Sequence, residues 1–103
     1  MKTKFDPDVL AAQADRAADF LRSIGSRHRL MILCTLLDGE TSVGELAERL
    51  ELNQSNLSRH LATLREEGIV ATRREGTAIY YRIASDRVRP MMTQLYDLFC
   101  ARP

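Results

Sequence analysis

The spacing of the apolar residues changes at Gly68, and that change constrains the fold of this chain more than any other feature. Before Gly68, apolar residues recur every three or four positions, as they do along one face of an amphipathic helix. After it they occur in two short strand-like runs, residues 69–74 and 78–83, separated by a turn that contains Gly76. A helical spacing returns at Val88. The sequence therefore predicts a mainly helical fold with one small β-hairpin.

Capping residues divide the helical part into four segments. Gly25 ends the first helix, and Ser26 is the expected N-cap of the second. Ser42 and Glu45 form the S-x-x-E pattern of a capping box at the start of a short third helix. The predicted element order is α-α-α-α-β-β-α, in a single domain that spans residues 1–103.

The third and fourth helices are joined by a turn of three residues, of which Asn53 is the expected N-cap of the fourth helix. A short helix, a tight turn, a longer helix and a basic hairpin form a winged helix-turn-helix, whose second helix enters the DNA major groove. In the first turns of that helix only Leu57 is apolar, and we expect it to face the core. Amide and guanidinium side chains can pair with base edges. The candidate base-contacting residues are Gln54, Ser55, Asn56, Ser58, Arg59 and His60.

The distribution of charge favours the same partner. Residues 1–53 carry 7 Lys/Arg and 9 Asp/Glu, whereas residues 54–89 carry 7 Arg and 4 Asp/Glu, although the whole chain has a net charge of only +1. Any one of these polar residues, taken alone, is equally well explained as an ordinary solvated surface residue or as a DNA contact. The full set, placed between a capped helix and an Arg-Arg hairpin, predicts binding to double-stranded DNA. The candidate contacts outside the fourth helix are Ser42, Arg73, Arg74 and Thr77, with Arg82 on the second strand.

The string SVGELAERLELNQSNLSRHLATLREEGIV, followed by TRREGTAIYYRI, resembles the bacterial ArsR-type repressors, and the resemblance covers nearly the whole chain. It implies a homodimer that forms through the first and last helices, binds a palindromic operator and is released by a regulatory event. The residues themselves agree, because both terminal helices carry apolar stripes that a core of this size would struggle to cover. A two-fold dimer would place its two recognition helices about 34 Å apart, one turn of DNA.

The two cysteines, Cys34 and Cys100, lie in the motifs ILC and LFC. These motifs resemble the SqrR/BigR branch of the ArsR family, which senses reactive sulfur through a dithiol. The resemblance implies that Cys34 and Cys100 form a redox pair that reacts with persulfide or polysulfide as the inducer. Two alternatives stay open: the thiols bind a soft metal or metalloid, or they are structural, since Cys34 shares a helical stripe with Leu33 and Leu37.

Several other functions are not expected. The third helix has no Cys-x-Cys pair and the last helix has no histidine, so the metal sites known in this family are not predicted, and neither is a cofactor. The sequence shows no nucleophile elbow, phosphate-binding loop or acid/base pair, so we do not expect an enzyme. No apolar run approaches the roughly 18 residues of a membrane span, and the N-terminus lacks the pattern of a secretory signal. A cytoplasmic location is therefore expected.

Overall fold

The computed structural model describes residues 5–100, and within them it contains five helices and three strands. Residues 1–4, which include part of the N-terminal pattern considered above, and residues 101–103 lie outside this description. The helices are α1 (Pro7–Ile24), α2 (Arg27–Leu36), α3 (Val43–Leu50), α4 (Gln54–Glu66) and α5 (Val88–Phe99). The strands are β1 (Thr41–Ser42), β2 (Val70–Glu75) and β3 (Ala78–Ile83). The winged helix-turn-helix predicted from the sequence is confirmed, with the short strand β1 as an addition.

Polar caps and one left-handed residue determine where α3 and α4 begin and end. The Ser42 hydroxyl accepts a hydrogen bond from the Glu45 amide at 3.2 Å, and the Asn53 side chain accepts one from the Asn56 amide at 2.8 Å. Both caps satisfy amide groups that have no partner inside their helix. Glu51 ends α3 with φ of 54°, which allows the sharp turn between the helices. This turn determines where α4 begins, and therefore which residues lie in its first turns.

β2 and β3 form the predicted hairpin, and β1 pairs with the other edge of β3. The strand order is β1-β3-β2 and both pairings are antiparallel, with Thr41 opposite Tyr81 and Arg73 opposite Tyr80. Gly76 supplies the positive φ of 62° in the hairpin turn. Since α3 follows β1 directly, the sheet connects the base of the wing to the start of the helix-turn-helix.

The core lies where α2, α3 and α4 meet the base of the hairpin. α4 buries one stripe, Leu57, Leu61 and Leu64, with the spacing predicted from the sequence. The fully buried side chains are Ile32, Leu33, Leu36, Leu46, Leu57, Leu61, Leu64, Ile69, Val70 and Val88. Because the apolar stripe of α4 is used in the core, its polar residues remain at the surface.

The terminal helices leave much of their apolar surface uncovered within one protomer. Val9 on α1 is 65% exposed, and Leu98 and Phe99 on α5 are 73% and 81% exposed. The radius of gyration is 15.7 Å, larger than the roughly 13 Å of a compact domain of this length. α1 and α5 thus present apolar faces that the described part of a single chain does not cover.

Candidate nucleic-acid interface

The first two turns of α4 present polar side chains at the surface. Gln54, Ser55, Ser58 and Arg59 are exposed, Asn56 and His60 are half-buried, and Leu57 is fully buried. Ser42 is half-buried because its hydroxyl caps α3. The fold therefore brings the six polar residues that the sequence analysis selected on α4 together within one short stretch of helix.

Asn56 and Arg59 form a pair within this stretch. The Arg59 guanidinium donates a hydrogen bond to the Asn56 side-chain oxygen at 2.7 Å. The pair leaves the Asn56 amide NH₂ and most of the Arg59 N–H groups as donors. The contact orients both side chains before any ligand binds, which reduces the entropy lost when they are immobilised.

His60 has a different environment, because its ring contacts α2. The Arg29 guanidinium lies 3.1 Å from His60 Nδ1, and the rings of His28 and His60 have centroids 5.3 Å apart. An arginine can only donate, so Nδ1 accepts and Nε2 carries the ring hydrogen. Burial lowers the pKa of His60, and the positive charge of Arg29 lowers it further. His60 was a predicted DNA contact, whereas Arg29 was not predicted to be functional, because its place at the start of a helix gives no signal for this contact.

Arg73, a candidate DNA contact on the wing, is paired with carboxylates. Its Nε donates to both carboxylate oxygens of Glu40, at 3.1 and 3.2 Å, and its terminal nitrogen donates to Oε1 at 2.7 Å. Glu75 lies 3.4 Å away, and the guanidinium stands 4.8 Å above the Tyr80 ring. The hydrogen bond from Arg73 lowers the pKa of Glu40. The positive charge of Arg73 is therefore partly neutralised by these carboxylates.

The rest of the wing is more open. Arg74 and Thr77 are exposed, as is Arg82 on β3. Among the described residues Arg74 makes no ion pair, so its positive charge is not neutralised as that of Arg73 is. Of the two neighbouring arginines on β2, Arg73 is therefore paired with carboxylates, whereas the charge of Arg74 is available to a phosphate.

Both cysteines are free thiols and both are exposed. The alternative that Cys34 is a core residue does not fit, because α2 turns Leu33 and Leu36 inward and leaves Cys34 on its outer side. Cys100 directly follows α5. α5 is attached to the end of α2 by a hydrogen bond of 3.0 Å from Arg89 to the carbonyl of Leu37, which follows Cys34 by three residues.

Two further findings concern other kinds of site. Within residues 5–100, no group of three or more His, Cys, Asp or Glu side chains is arranged to hold a metal ion. None of the helices in that same range is long and apolar enough to span a membrane.

The sequence matches one family directly. Residues 26–72 match the family described as bacterial regulatory protein, arsR family. These residues include α2, the whole helix-turn-helix and the start of β2.

Individual proteins are similar over most of the chain. Transcriptional activator HlyU of Vibrio cholerae is 48% identical over 85 residues, which cover 82% of this chain and 79% of HlyU. The structure of reduced HlyU matches with a TM-score of 0.84 at 44% identity, covering 89% of this chain and 97% of that one. The crystal structure of the transcriptional repressor BigR from Xylella fastidiosa matches with a TM-score of 0.89 at 38% identity, over 95% of this chain and 100% of BigR.

A third similar structure is described as a homodimer. It is a homodimeric winged helix-turn-helix DNA-binding domain from Mycobacterium bovis, described as a possible ArsR-family transcriptional regulator. Its TM-score is 0.77 at 32% identity, over 93% of this chain and 89% of that domain. The similarity therefore extends to the terminal helices as well as to the helix-turn-helix.

Proposed function

Since the chain belongs to the ArsR family of bacterial regulatory proteins, we propose that it is a homodimeric repressor released from DNA when Cys34 and Cys100 react with persulfide or polysulfide. Regulation of transcription through DNA binding is common to its relatives, which include a named activator and a named repressor. The observation that carries the thiol proposal is that both cysteines are free and exposed.

The polar face of α4 supports a role in base recognition. Asn56 and Arg59 are hydrogen-bonded to each other and have donors left for adenine and guanine edges in the major groove. Arg74 and Thr77 at the wing tip are exposed and suited to phosphate contacts. The remaining proposed contacts are Ser42, Gln54, Ser55, Ser58, Arg73 and Arg82. His60 was predicted with them from the sequence, but its ring contacts Arg29 on α2.

The apolar faces of α1 and α5 support a homodimer. Burying residues such as Val9, Leu98 and Phe99 against a second copy would remove exposed apolar area from water, which favours association. The similar domain from Mycobacterium bovis is a homodimer. A two-fold dimer of this fold would present its two copies of α4 to successive turns of the major groove.

Exposed thiols can react with sulfane sulfur in balanced steps. A cysteine thiolate attacks the outer sulfur of a persulfide RS–SH, so the S–S bond breaks and RS⁻ leaves, giving Cys–S–SH. The second thiolate attacks the cysteine-bound sulfur and expels HS⁻, which leaves a disulfide. If a second sulfane sulfur is added before closure, giving Cys–S–S–SH, attack of the second thiolate on the middle sulfur expels HS⁻ and leaves a trisulfide. The thiols are oxidised and the sulfane sulfur is reduced to sulfide.

A bridge of this kind would restrain α5 against α2. α5 contacts the end of α2 near its own start, through Arg89 and the Leu37 carbonyl, and Cys100 lies eleven residues further along, at the opposite end of α5. Fixing the end of α5 to α2 would change how the proposed dimer helix sits on the helix-turn-helix. The spacing of the two copies of α4 would then no longer match the DNA.

We expect persulfide to lower DNA affinity through the two thiols. The probe is a fluorescent duplex that the reduced wild-type protein selects from a random-sequence pool. Treatment with glutathione persulfide should lower the affinity about tenfold, as typical for coupling between sites. Mass spectrometry should show a peptide link between Cys34 and Cys100, with two hydrogens lost and zero or more sulfur atoms gained. Fluorescence anisotropy gives the affinity.

Single substitutions provide the control. Cys34→Ser and Cys100→Ser should each bind the duplex like the reduced wild type and stay bound after persulfide treatment. A response that persists in either variant contradicts the dithiol proposal. DNA release by arsenite or a divalent soft metal, with none by persulfide, would support the metal-sensing alternative instead. Binding that no thiol reagent changes would identify a constitutive regulator.

Glu40→Gln should raise DNA affinity modestly. Removing the Glu40 charge weakens the ion pair that holds Arg73, which then becomes available to a phosphate. We expect a gain of about two- to fourfold, since exposed pairs and single phosphate contacts are each worth little. The control is Glu66→Gln, which changes the net charge equally on the last turn of α4. An equal gain in both variants would show a general charge effect and no specific release of Arg73.

A further inference from the structure

We infer that Arg29 is a positioning residue for DNA binding, which holds α4 against the C-terminal end of α1 by contacting His60. This inference rests on the proposed use of α4 as the recognition helix. It assigns a function to a residue outside the helix-turn-helix and changes the role expected for His60. In the sequence analysis His60 was a candidate DNA contact; here it acts through its position on the inner side of α4.

The Arg29 guanidinium contacts three groups from two different helices. Its Nε donates to the Ser23 carbonyl at 2.6 Å, and one terminal nitrogen lies 3.4 Å from the Arg22 carbonyl. The other terminal nitrogen lies 3.1 Å from His60 Nδ1. Because the guanidinium is planar and rigid, these contacts set the position of the imidazole relative to the end of α1.

The α1 side of this contact is a strong acceptor. Arg22 and Ser23 lie in the last turn of α1, where carbonyls have no partner inside the helix and where the helix dipole is negative. A permanently charged arginine is stabilised there. Ser23 is buried, so this end of α1 is firmly placed.

The α4 side depends on a neutral imidazole. In the neutral ring Nδ1 accepts from Arg29, whereas protonation would place an N–H on Nδ1 facing another donor. α1 is one of the helices proposed to form the dimer, and α4 is the proposed recognition helix. Arg29 thus fixes the recognition helix to the dimer scaffold, and the contact exists only while His60 is uncharged.

The charges around His60 all oppose its protonation. Arg29 and His28 on α2 and Arg59 on α4 each lower its pKa, and burial lowers it most. α1 adds the main-chain carbonyls that hold Arg29, and the nearby Arg22 side chain pairs with Asp19. Since the pKa of His60 in the fold lies below the ordinary 6.5, the ring is neutral and the contact is complete above about pH 6.5, and the contact is lost as the pH falls through that lowered pKa.

The direction of the pH dependence separates this role from a direct DNA contact. A histidine that bound phosphate would gain charge in acid and strengthen DNA binding. A histidine that holds α4 through Arg29 would lose its contact in acid and weaken it. The two roles of His60 therefore predict opposite slopes.

Two substitutions of His60 test the inference with the duplex selected by the wild-type protein. Asparagine carries an acceptor oxygen near the position of Nδ1 and does not titrate, whereas leucine has no acceptor. As the pH falls from about 7.5 through the lowered pKa of His60, the wild type should lose roughly tenfold in affinity relative to His60→Asn. His60→Asn should bind within about threefold of the wild type at neutral pH, and His60→Leu should bind about tenfold more weakly.

Two substitutions on α2 extend the test: Arg29→Met removes the inferred contact, and His28→Gln serves as its control. Arg29→Met should resemble His60→Leu, and adding it to His60→Leu should cause little further loss, since both remove one contact. His28→Gln removes the neighbouring histidine and should keep the wild-type affinity at neutral pH; since His28 lowers the pKa of His60, the loss of affinity in acid should begin at a slightly higher pH. Thermal unfolding of each variant shows whether it is folded at the temperature used. If Arg29→Met does not fold, His60→Asn still tests the inference.

Three results would overturn the inference. His60→Leu could bind DNA at neutral pH as tightly as the wild type, or the wild type could bind more tightly in acid than His60→Asn. The third is that His60→Asn binds DNA as weakly as His60→Leu. Failure of the proposed function has a different signature. In that case the wild type selects no duplex, or alanine at Asn56 and Arg59 leaves binding unchanged.

Discussion

Replacing Asn56 and Arg59 together with alanine should lower DNA affinity roughly a hundredfold, since each base-specific pair contributes about 1–3 kcal/mol of discrimination. The two side chains are hydrogen-bonded to each other on the outer face of α4, so the substitution removes a preorganised unit. The helix itself should persist, because the cap at its start is the side chain of Asn53 accepting from a backbone amide, which alanine retains. Fluorescence anisotropy with the selected duplex measures the loss.

Arg65→Ala is the matched control, because Arg65 is an exposed arginine in the last turn of the same helix. It should change affinity by less than about threefold, and its effect should shrink as salt is raised. The double variant should instead discriminate less between selected and random duplexes, because two of its base contacts are gone. Equal losses in the double variant and in Arg65→Ala would contradict base recognition by the start of α4.

Leu64→Ala should reduce the free energy of unfolding by about 2–5 kcal/mol. Leu64 is fully buried in the stripe that packs α4 into the core, so truncation leaves a cavity beneath the helix. A domain of this size is stable by only about 5–15 kcal/mol, so the loss is a large share of the total. Urea unfolding at one fixed protein concentration measures it, since the apparent stability of a dimer depends on concentration.

Leu64→Met is the control for that measurement, because methionine has a similar volume and flexible rotamers. It should cost less than about 1.5 kcal/mol. A loss below about 1 kcal/mol for Leu64→Ala would show that the site collapses or is not closely packed, and would contradict the core described here.

Local patterns were sufficient for the main elements. The three- or four-residue spacing of apolar residues before Gly68 predicted the existence of α4, and Leu57 was expected to face the core, because helical periodicity depends only on neighbours in the chain. Ser42 and Asn53 predicted the helix starts for the same reason, since a cap bonds to amides a few residues away. β1 was missed because two residues are too short to show a periodicity.

Contacts between distant residues could not be predicted in this way. Arg73 was expected to be available to DNA, yet its principal partner is Glu40, 33 residues earlier in the chain. His60 contacts Arg29, 31 residues earlier. Neither pair has a characteristic spacing, and only the packing of the helices against the sheet brings the partners together.

The change of period at Gly68 and the capping residues thus determined, from the sequence alone, a helix-turn-helix followed by a wing and the set of polar residues at the start of α4. These features are local, so their physical causes are contained in short stretches of the chain. The tertiary structure decided which of the charged residues are paired, that Cys34 is exposed, and that Arg29 connects α1 to α4. Those outcomes depend on the relative placement of whole elements, which is determined by burial of the common core.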